Sequence, residues 1–295
     1  VSPAPLADAS TSAVDADRAA SFERDGFAHL PGLLDADELA TYAPLVAEVA
    51  GSSAQAAVPM GERGTYQRAF VQEVNLWQRH ETIRPLAFSP RLARAAAELL
   101  GVDGVRTYHD QALVKEAGGG HTPWHCDQHY WPIDSDRTVT AWIPLQDVPL
   151  EMGPLRFSTG SQRVDLGREL AIGDESDAGV RRHPRWRELP VWERPIAAGD
   201  VTFHQGWTFH GAGPNTTDRT RLVFTVIYVA DGARLAEPRT DGQRFDRKIW
   251  LPDVEVGEPI DSWLNPLVWH HDGGWQDMLA TLPAEANHAG TFSLD

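Results

Sequence analysis

Cys126 is the only cysteine in the 295-residue chain. An intrachain disulfide and a cysteine-based zinc cluster are both excluded, and a reducing compartment is predicted. Long apolar runs are missing too. Nowhere do about 18 apolar residues follow one another, the length a membrane-spanning helix needs. Residues 1–14 have neither the basic start nor the continuous apolar stretch of a secretory signal, so a soluble, cytoplasmic protein is expected. Positive charge is scarce: 26 Lys and Arg stand against 42 Asp and Glu, a net charge of −16. Such a chain repels phosphate backbones and anionic lipid. Its densest basic stretch, RRHPRWR at 181–187, is short, contains proline and reads as an exposed loop. Neither a nucleic-acid nor a membrane partner is expected, which leaves a small molecule.

Hydrophobic residues at 42% and charged residues at 23% are enough for a sizeable core. With no internal repeat and no free linker, a single domain over 16–295 is expected, acting as a monomer or homodimer. Residues 1–15, rich in Ala, Ser, Pro and Asp, read as a mobile arm. A helix over 16–25 stops at Gly26, and a short strand over 27–30 follows. Asp35, with Glu38 three residues on, has capping-box spacing and opens a second helix. Residues 90–100 carry an apolar stripe closed by Gly101. From about residue 105 the texture changes to short runs of Val, Thr, Ile and aromatics between turn residues, with strands predicted near 106–114, 138–145, 155–157, 191–195, 201–203 and 221–229. The predicted fold is mainly β with flanking helices, a jelly roll or double-stranded β-helix of cupin-like form. The charged, pattern-poor stretch 161–190 reads as a lid insertion.

His125 and Asp127 sit at i and i+2, one face of a strand if the chain is extended there. A third ligand must come from elsewhere. His210 follows the apolar strand at 201–203 and precedes the turn GAGPN, while His109, His121, His129 and His204 compete for the role. His129 shares the parity of His125 and Asp127. Two imidazoles and one carboxylate on one side of a metal leave open positions for a cosubstrate and oxygen, the arrangement of non-haem iron(II) oxygenases. Cys126, between the two ligands, points the other way. Arg221 opens a run, LVFTVIYV, that is apolar on both faces and so reads as a buried strand. An inward guanidinium there needs an anion, which either a dicarboxylate cosubstrate or a local acid such as Asp218 could supply.

Together these residues resemble the phytanoyl-CoA dioxygenase family of iron(II)- and 2-oxoglutarate-dependent oxygenases, in which an Arg lies eleven positions after the distal His, the spacing of His210 and Arg221. The likeness extends over residues 20–230 and includes FERDGFAHLPGLL at 22–34, GGGHTPWHCDQHYW at 118–131 and TAWIPLQDVPLEMGPLRFSTGS at 140–161. It implies that His125, Asp127 and His210 bind Fe(II) and that Arg221 anchors the distal carboxylate of 2-oxoglutarate. Gln111, Thr140 and Trp131 are implied as residues contacting or flanking the cosubstrate. O2 is then consumed, with ascorbate as an optional reductant, and the default outcome is hydroxylation of an unactivated C–H bond. Desaturation, epimerisation, epoxidation and ring formation stay open. Asp127 separates the site from the halogenases, in which a small residue vacates that position. Two positions depart from the family: Met152 stands where relatives often have Asn, and Gln162 where they often have His. The 11 Trp point to an apolar small molecule, such as a secondary metabolite, as substrate. Two alternatives remain, a redox-neutral cupin-like metalloenzyme (an isomerase or epimerase) and a non-catalytic small-molecule binding module.

Overall fold

The computed structural model describes residues 12–51 and 58–282. Most of the expected arm, residues 1–11, lies outside that set. Its last residues are anchored: the Ser12 hydroxyl donates to Glu98 at 2.7 Å, and the Asp15 carboxylate caps the helix Ala16–Asp25 through the Arg18 N–H. Gly26 closes that helix in the left-handed region, as its position after the last helical residue predicts.

Eleven strands follow among the described residues: β1 Phe27–Leu30, β2 Val71–Val74, β3 Gly104–Lys115, β4 Thr122–His125, β5 Thr138–Pro144, β6 Leu155–Ser158, β7 Val191–Glu193, β8 Val201–Gln205, β9 His210–Ala212, β10 Arg221–Ala230 and β11 Leu267–His270. The larger sheet runs β1-β8-β5-β10-β3-β11 with β2 also beside β3, and the smaller runs β4-β9-β6-β7. Every pairing is antiparallel. This is the expected mainly-β, double-sheet architecture with helices outside it.

β10 explains the layering. All ten of its residues are buried, because opposite faces meet different partners. Leu222, Phe224, Val226 and Tyr228 pack against the helices Ala36–Gly51 and Pro90–Leu100, in a core that includes Tyr42, Val46, Leu92 and Ala96. Val223 points to the other side, into a second core with Trp142 of β5 and Leu155 and Phe157 of β6. Fully burying one such side chain is worth about 1.5–3 kcal/mol, so the two-sided apolar run fixes β10 at the centre of the larger sheet. Arg221 has the parity of Val223 and Thr225, and so lies on the inner face between the sheets.

Two expectations are corrected. β4 ends at His125; Cys126 is still extended (φ −123°, ψ 137°), but Asp127–Tyr130 is a turn of 3₁₀ helix. Asp127 therefore takes its direction from a turn and not from strand alternation, and His129 leaves the pocket face altogether, its Nδ1 lying 2.8 Å from the Arg168 carbonyl. The pattern-poor stretch 161–190 contains two α-helices, Asp174–Arg182 and Pro184–Arg187, after a turn of 3₁₀ helix at Ser161–Arg163. Val180 and Trp186 bury themselves with Trp124, Cys126 and Phe209 on the outer side of the smaller sheet. The basic stretch at 181–187 is thus helical rather than a loop, with its arginines exposed.

Gly153 ties the two sheets at the level of Arg221. Its φ is +71°, a Cβ there would run into the Gly213 carbonyl, and its own carbonyl accepts from Arg221 Nη1. Gly153→Ala is expected to lower the unfolding free energy by about 1–3 kcal/mol, measured by urea denaturation; an unchanged midpoint would contradict this close approach.

Candidate metal centre and substrate cavity

β4 and β9 are paired with His125 opposite His210, which brings the two rings to 4.2 Å between centroids. His125 Nδ1 lies 2.8 Å from the Pro123 carbonyl and His210 Nδ1 lies 3.0 Å from the Thr208 carbonyl. A carbonyl can only accept, so each ring carries its proton on Nδ1 and leaves the Nε2 lone pair free. Both Nε2 atoms meet Asp127 Oδ1, at 3.5 and 3.6 Å, and one donor atom from each of the three residues falls within 4.8 Å of the others. Three lone-pair donors with no proton between them are a set that suits a divalent cation. The backbone bonds at Nδ1 are the outer-shell contacts that fix a ligating imidazole.

The second oxygen of Asp127 is held from the larger sheet. The Thr140 hydroxyl donates to Oδ2 at 3.0 Å, and His204 Nε2 lies 3.3 Å away. A carboxylate accepts, so His204 presents an N–H here rather than a lone pair, which sets it apart from His210. Burial works against the charge on Asp127, but His210, His125 and His204 outweigh it and hold the carboxyl well below the usual range. Burial, then the neighbouring His125 and His204, hold His210 well below the ordinary imidazole value, in keeping with a neutral ring. Burial pushes the Cys126 thiol up to about 12, and the side chain packs with Trp124 and Phe209, away from the cluster.

This cluster lines a cavity of about 920 Å³ between the sheets, and Gln111, Trp131, Thr140 and Arg221 line the same cavity. All seven residues singled out from the sequence therefore come together in one space. Arg221 is 1% exposed; Nη1 is bonded to the Gly153 carbonyl while Nε has no hydrogen-bond partner among the described residues, and the guanidinium lies 5.5 Å from the Trp142 ring. Asp218 does not pair with it, so the local-acid alternative is not realised among the described residues. Burial pushes Arg221 down to about 9, which still leaves it charged at neutral pH. Gln111 accepts from Gln72 on β2, and Trp131 meets Tyr108 edge-on at 5.7 Å. Met152 and Gln162, the two departures from the family, do not line the cavity: Met152 is buried between the sheets, and Gln162 donates to the Glu23 carbonyl at 3.0 Å.

Sequence reasoning missed the other end of the cavity. Helix Asp241–Trp250 contributes Asp246, Ile249 and Trp250 to its wall, and His109 of β3 stacks on Trp250 at 4.6 Å. The signal was present in the spacing of Asp246, Ile249 and Trp250, an i, i+3, i+4 stripe with a carboxylate inside an otherwise apolar face. The expected lid stretch 161–190 supplies one wall residue, Ile172, whose N–H donates to the Tyr130 hydroxyl at 2.7 Å.

Comparison with known proteins follows the same lines. The family model described as phytanoyl-CoA dioxygenase (PhyH) matches residues 22–223. Ectoine dioxygenase of Bordetella parapertussis is 26% identical over 239 residues, 73% of this chain and 75% of that protein. Among solved structures, the epimerase SnoN in complex with Fe3+, alpha ketoglutarate and nogalamycin RO is 30% identical with a TM-score of 0.71, covering 86% of this chain and 98% of that one. The non-haem alpha ketoglutarate dependent carbocyclase SnoK from nogalamycin biosynthesis is 27% identical, also with a TM-score of 0.71, covering 88% and 99%.

Lys115 stands directly across from Arg221 in the sheet and is fully buried. Its side-chain nitrogen donates to the Gly120 carbonyl at 2.6 Å and the Gly213 carbonyl at 2.9 Å. Burial, then Arg221 and Arg156, push its pKa down to about 6 from 10.5. Between those values the unfolded chain binds the extra proton, so the lysine's contribution to stability rises with pH, by up to about 1.4 kcal/mol per pH unit. Urea denaturation at several pH values between 6.5 and 8.5 is expected to show wild type gaining on Lys115→Met as pH rises; a pH-independent difference would mean that Lys115 keeps its proton in the fold.

Proposed function

The chain belongs to the phytanoyl-CoA dioxygenase family, and we propose that it uses iron(II), 2-oxoglutarate and oxygen to oxidise an unactivated C–H bond of a small, largely apolar molecule. The observation that carries this reading is the convergence in one cavity of a proton-free His125–Asp127–His210 donor set and a buried Arg221 with no carboxylate partner among the described residues. In this assignment His125 Nε2, Asp127 Oδ1 and His210 Nε2 hold the metal. Arg221 receives the distal carboxylate of 2-oxoglutarate through its planar fork. When bound, iron with 2-oxoglutarate supplies the oxygen chemistry: 2-oxoglutarate and O2 give succinate and carbon dioxide as the substrate is oxidised.

The protein's own share is positioning. Thr140 and His204 hold Oδ2 of Asp127, so that Oδ1 stays turned to the imidazoles. Gln111 and Trp131 border the cosubstrate space, and the apolar wall between the sheets excludes water and aligns the target carbon. Hydroxylation is the default outcome. A second reading, stereochemical inversion or ring closure, draws support from the likeness to an epimerase and a carbocyclase over most of the chain. Product mass separates them: hydroxylation adds one oxygen, ring closure removes two hydrogens, and inversion leaves the mass unchanged and needs two electrons from an external reductant such as ascorbate.

The net charge of −16 supports a small molecule over nucleic acid as partner. Among the described residues no helix is long and apolar enough to cross a membrane, and the buried Cys126 supports a reducing, cytoplasmic setting.

Succinate release is the direct test. Wild type supplied with iron(II), 2-oxoglutarate and air is expected to form succinate, and Asp127→Ala to fall to background. Arg221→Lys keeps the charge but loses the fork, and is expected to raise KM for 2-oxoglutarate by roughly 10- to 100-fold, the equivalent of about 1.5–3 kcal/mol for a hydrogen bond between charged groups. A folded, iron-binding protein that makes no succinate would favour a redox-neutral metalloenzyme instead.

A further inference from the structure

Arg221 and His109 mark two ends of one cavity. They lie on paired strands, with Arg221 opposite Lys115 and His109 six residues back along β3, about 20 Å at 3.3 Å per residue. The Arg221 end suits the cosubstrate. Away from Arg221 the charges have the opposite sign: besides Asp127 of the metal set, Glu73, Asp241 and Asp246 line the cavity, and Arg221 is the only Lys or Arg among the described lining residues.

The three carboxylates differ in their partners. Glu73 pairs with Arg79 at 2.9 Å, and Asp241 pairs with Arg244 at the exposed rim. Asp246 is 7% exposed, and its named donors are neutral, the Tyr108 hydroxyl and the Trp250 indole. No Lys, Arg or His pairs with it among the described residues, and residues 1–11, 52–57 and 283–295 contain no Lys or Arg. The adjacent Arg247 is turned away, to the Val254 carbonyl and Glu255. Burial therefore holds the Asp246 carboxyl well above the usual range, with the Tyr108 and Trp250 donors opposing it in part. A buried carboxyl in this state gains most from a cation brought in by a ligand. Around it stand the aromatic side chains Trp131, Trp250 and Tyr130, all on the cavity wall, and aromatic faces attract organic ammonium groups.

We propose that this end of the cavity recognises a basic amine or alkylammonium group on an otherwise apolar, ring-containing substrate, with Asp246 as counter-ion and Trp131 and Trp250 as walls. This names the substrate class for the oxygenase reading above and rests on it for the reaction, but not for the binding. At about 920 Å³ the cavity lies toward the upper end of the usual 300–1,000 Å³ range, with space for a fused-ring molecule beside 2-oxoglutarate.

The test uses the full chain without metal, so that failure of the iron assignment cannot imitate failure of this one. The probes are 9-(aminomethyl)anthracene, charged at neutral pH, and 9-(hydroxymethyl)anthracene, its neutral counterpart, titrated by fluorescence. Wild type is expected to bind the amine at least tenfold more tightly than the alcohol, and Asp246→Asn to bring that preference below threefold. Equal binding of the two probes by wild type, or no binding of either, overturns the proposal even if Asp246→Asn does not fold. A preference retained in Asp246→Asn also overturns it. If that variant only melts earlier and keeps the preference, Asp246 serves to tether its helix to Tyr108 and nothing more.

Discussion

A half-buried carboxylate set among three imidazoles, and a guanidinium buried without an acid among the described residues, impose the strictest condition on this structure. Taking an ion out of water costs several kcal/mol unless charge and hydrogen bonds are restored around it. Asp127 meets the condition from within: Thr140 and the N–H of His204 saturate one oxygen, and the other is turned to two imidazole lone pairs that a cation would bridge. Arg221 meets it only in part, through the Gly153 carbonyl. What remains unmet at each centre defines the ligand that suits it, a divalent metal in one case and a carboxylate in the other.

The fold serves this condition. The larger sheet is buried on both faces, so its inner residues can be polar only where they find partners on the opposing sheet or in the cavity. β10 carries Arg221 inward at one end, β5 supplies Thr140, β8 supplies His204, and the paired β4 and β9 supply the two histidines from across the gap. Apolar packing on the helix side holds β10 in register, which in turn fixes where the guanidinium lies. Stability and site geometry are thus set by the same strand.

Much of this was legible in the sequence wherever a strand carried the signal. The apolar run after Arg221 announced a strand buried on both faces; that the guanidinium lies inside is a finding of the structure. Helices 16–25 and 90–100 came from their caps and stripes. The limits were local geometry and long-range contact. Strand alternation pointed to the right face for Asp127 for the wrong reason, since the chain turns into a 3₁₀ helix there, and the same turn removes His129 from the pocket. Residues 161–190 looked patternless because their two helices bury only a few side chains. Helix Asp241–Trp250 carries a local stripe at Asp246, Ile249 and Trp250, but its place at the far end of the cavity depends on contacts with β3 more than a hundred residues away.

The central claim is that the donor set and Arg221 form one site for iron(II) and 2-oxoglutarate. It is tested most directly by adding both, without oxygen, to the metal-free protein and following the visible charge-transfer absorption of their complex. Wild type is expected to develop the band, Asp127→Ala to lack it, and Arg221→Ala to need far more 2-oxoglutarate to reach it. A folded wild-type protein that binds iron(II) and shows no band at any 2-oxoglutarate concentration would contradict the account.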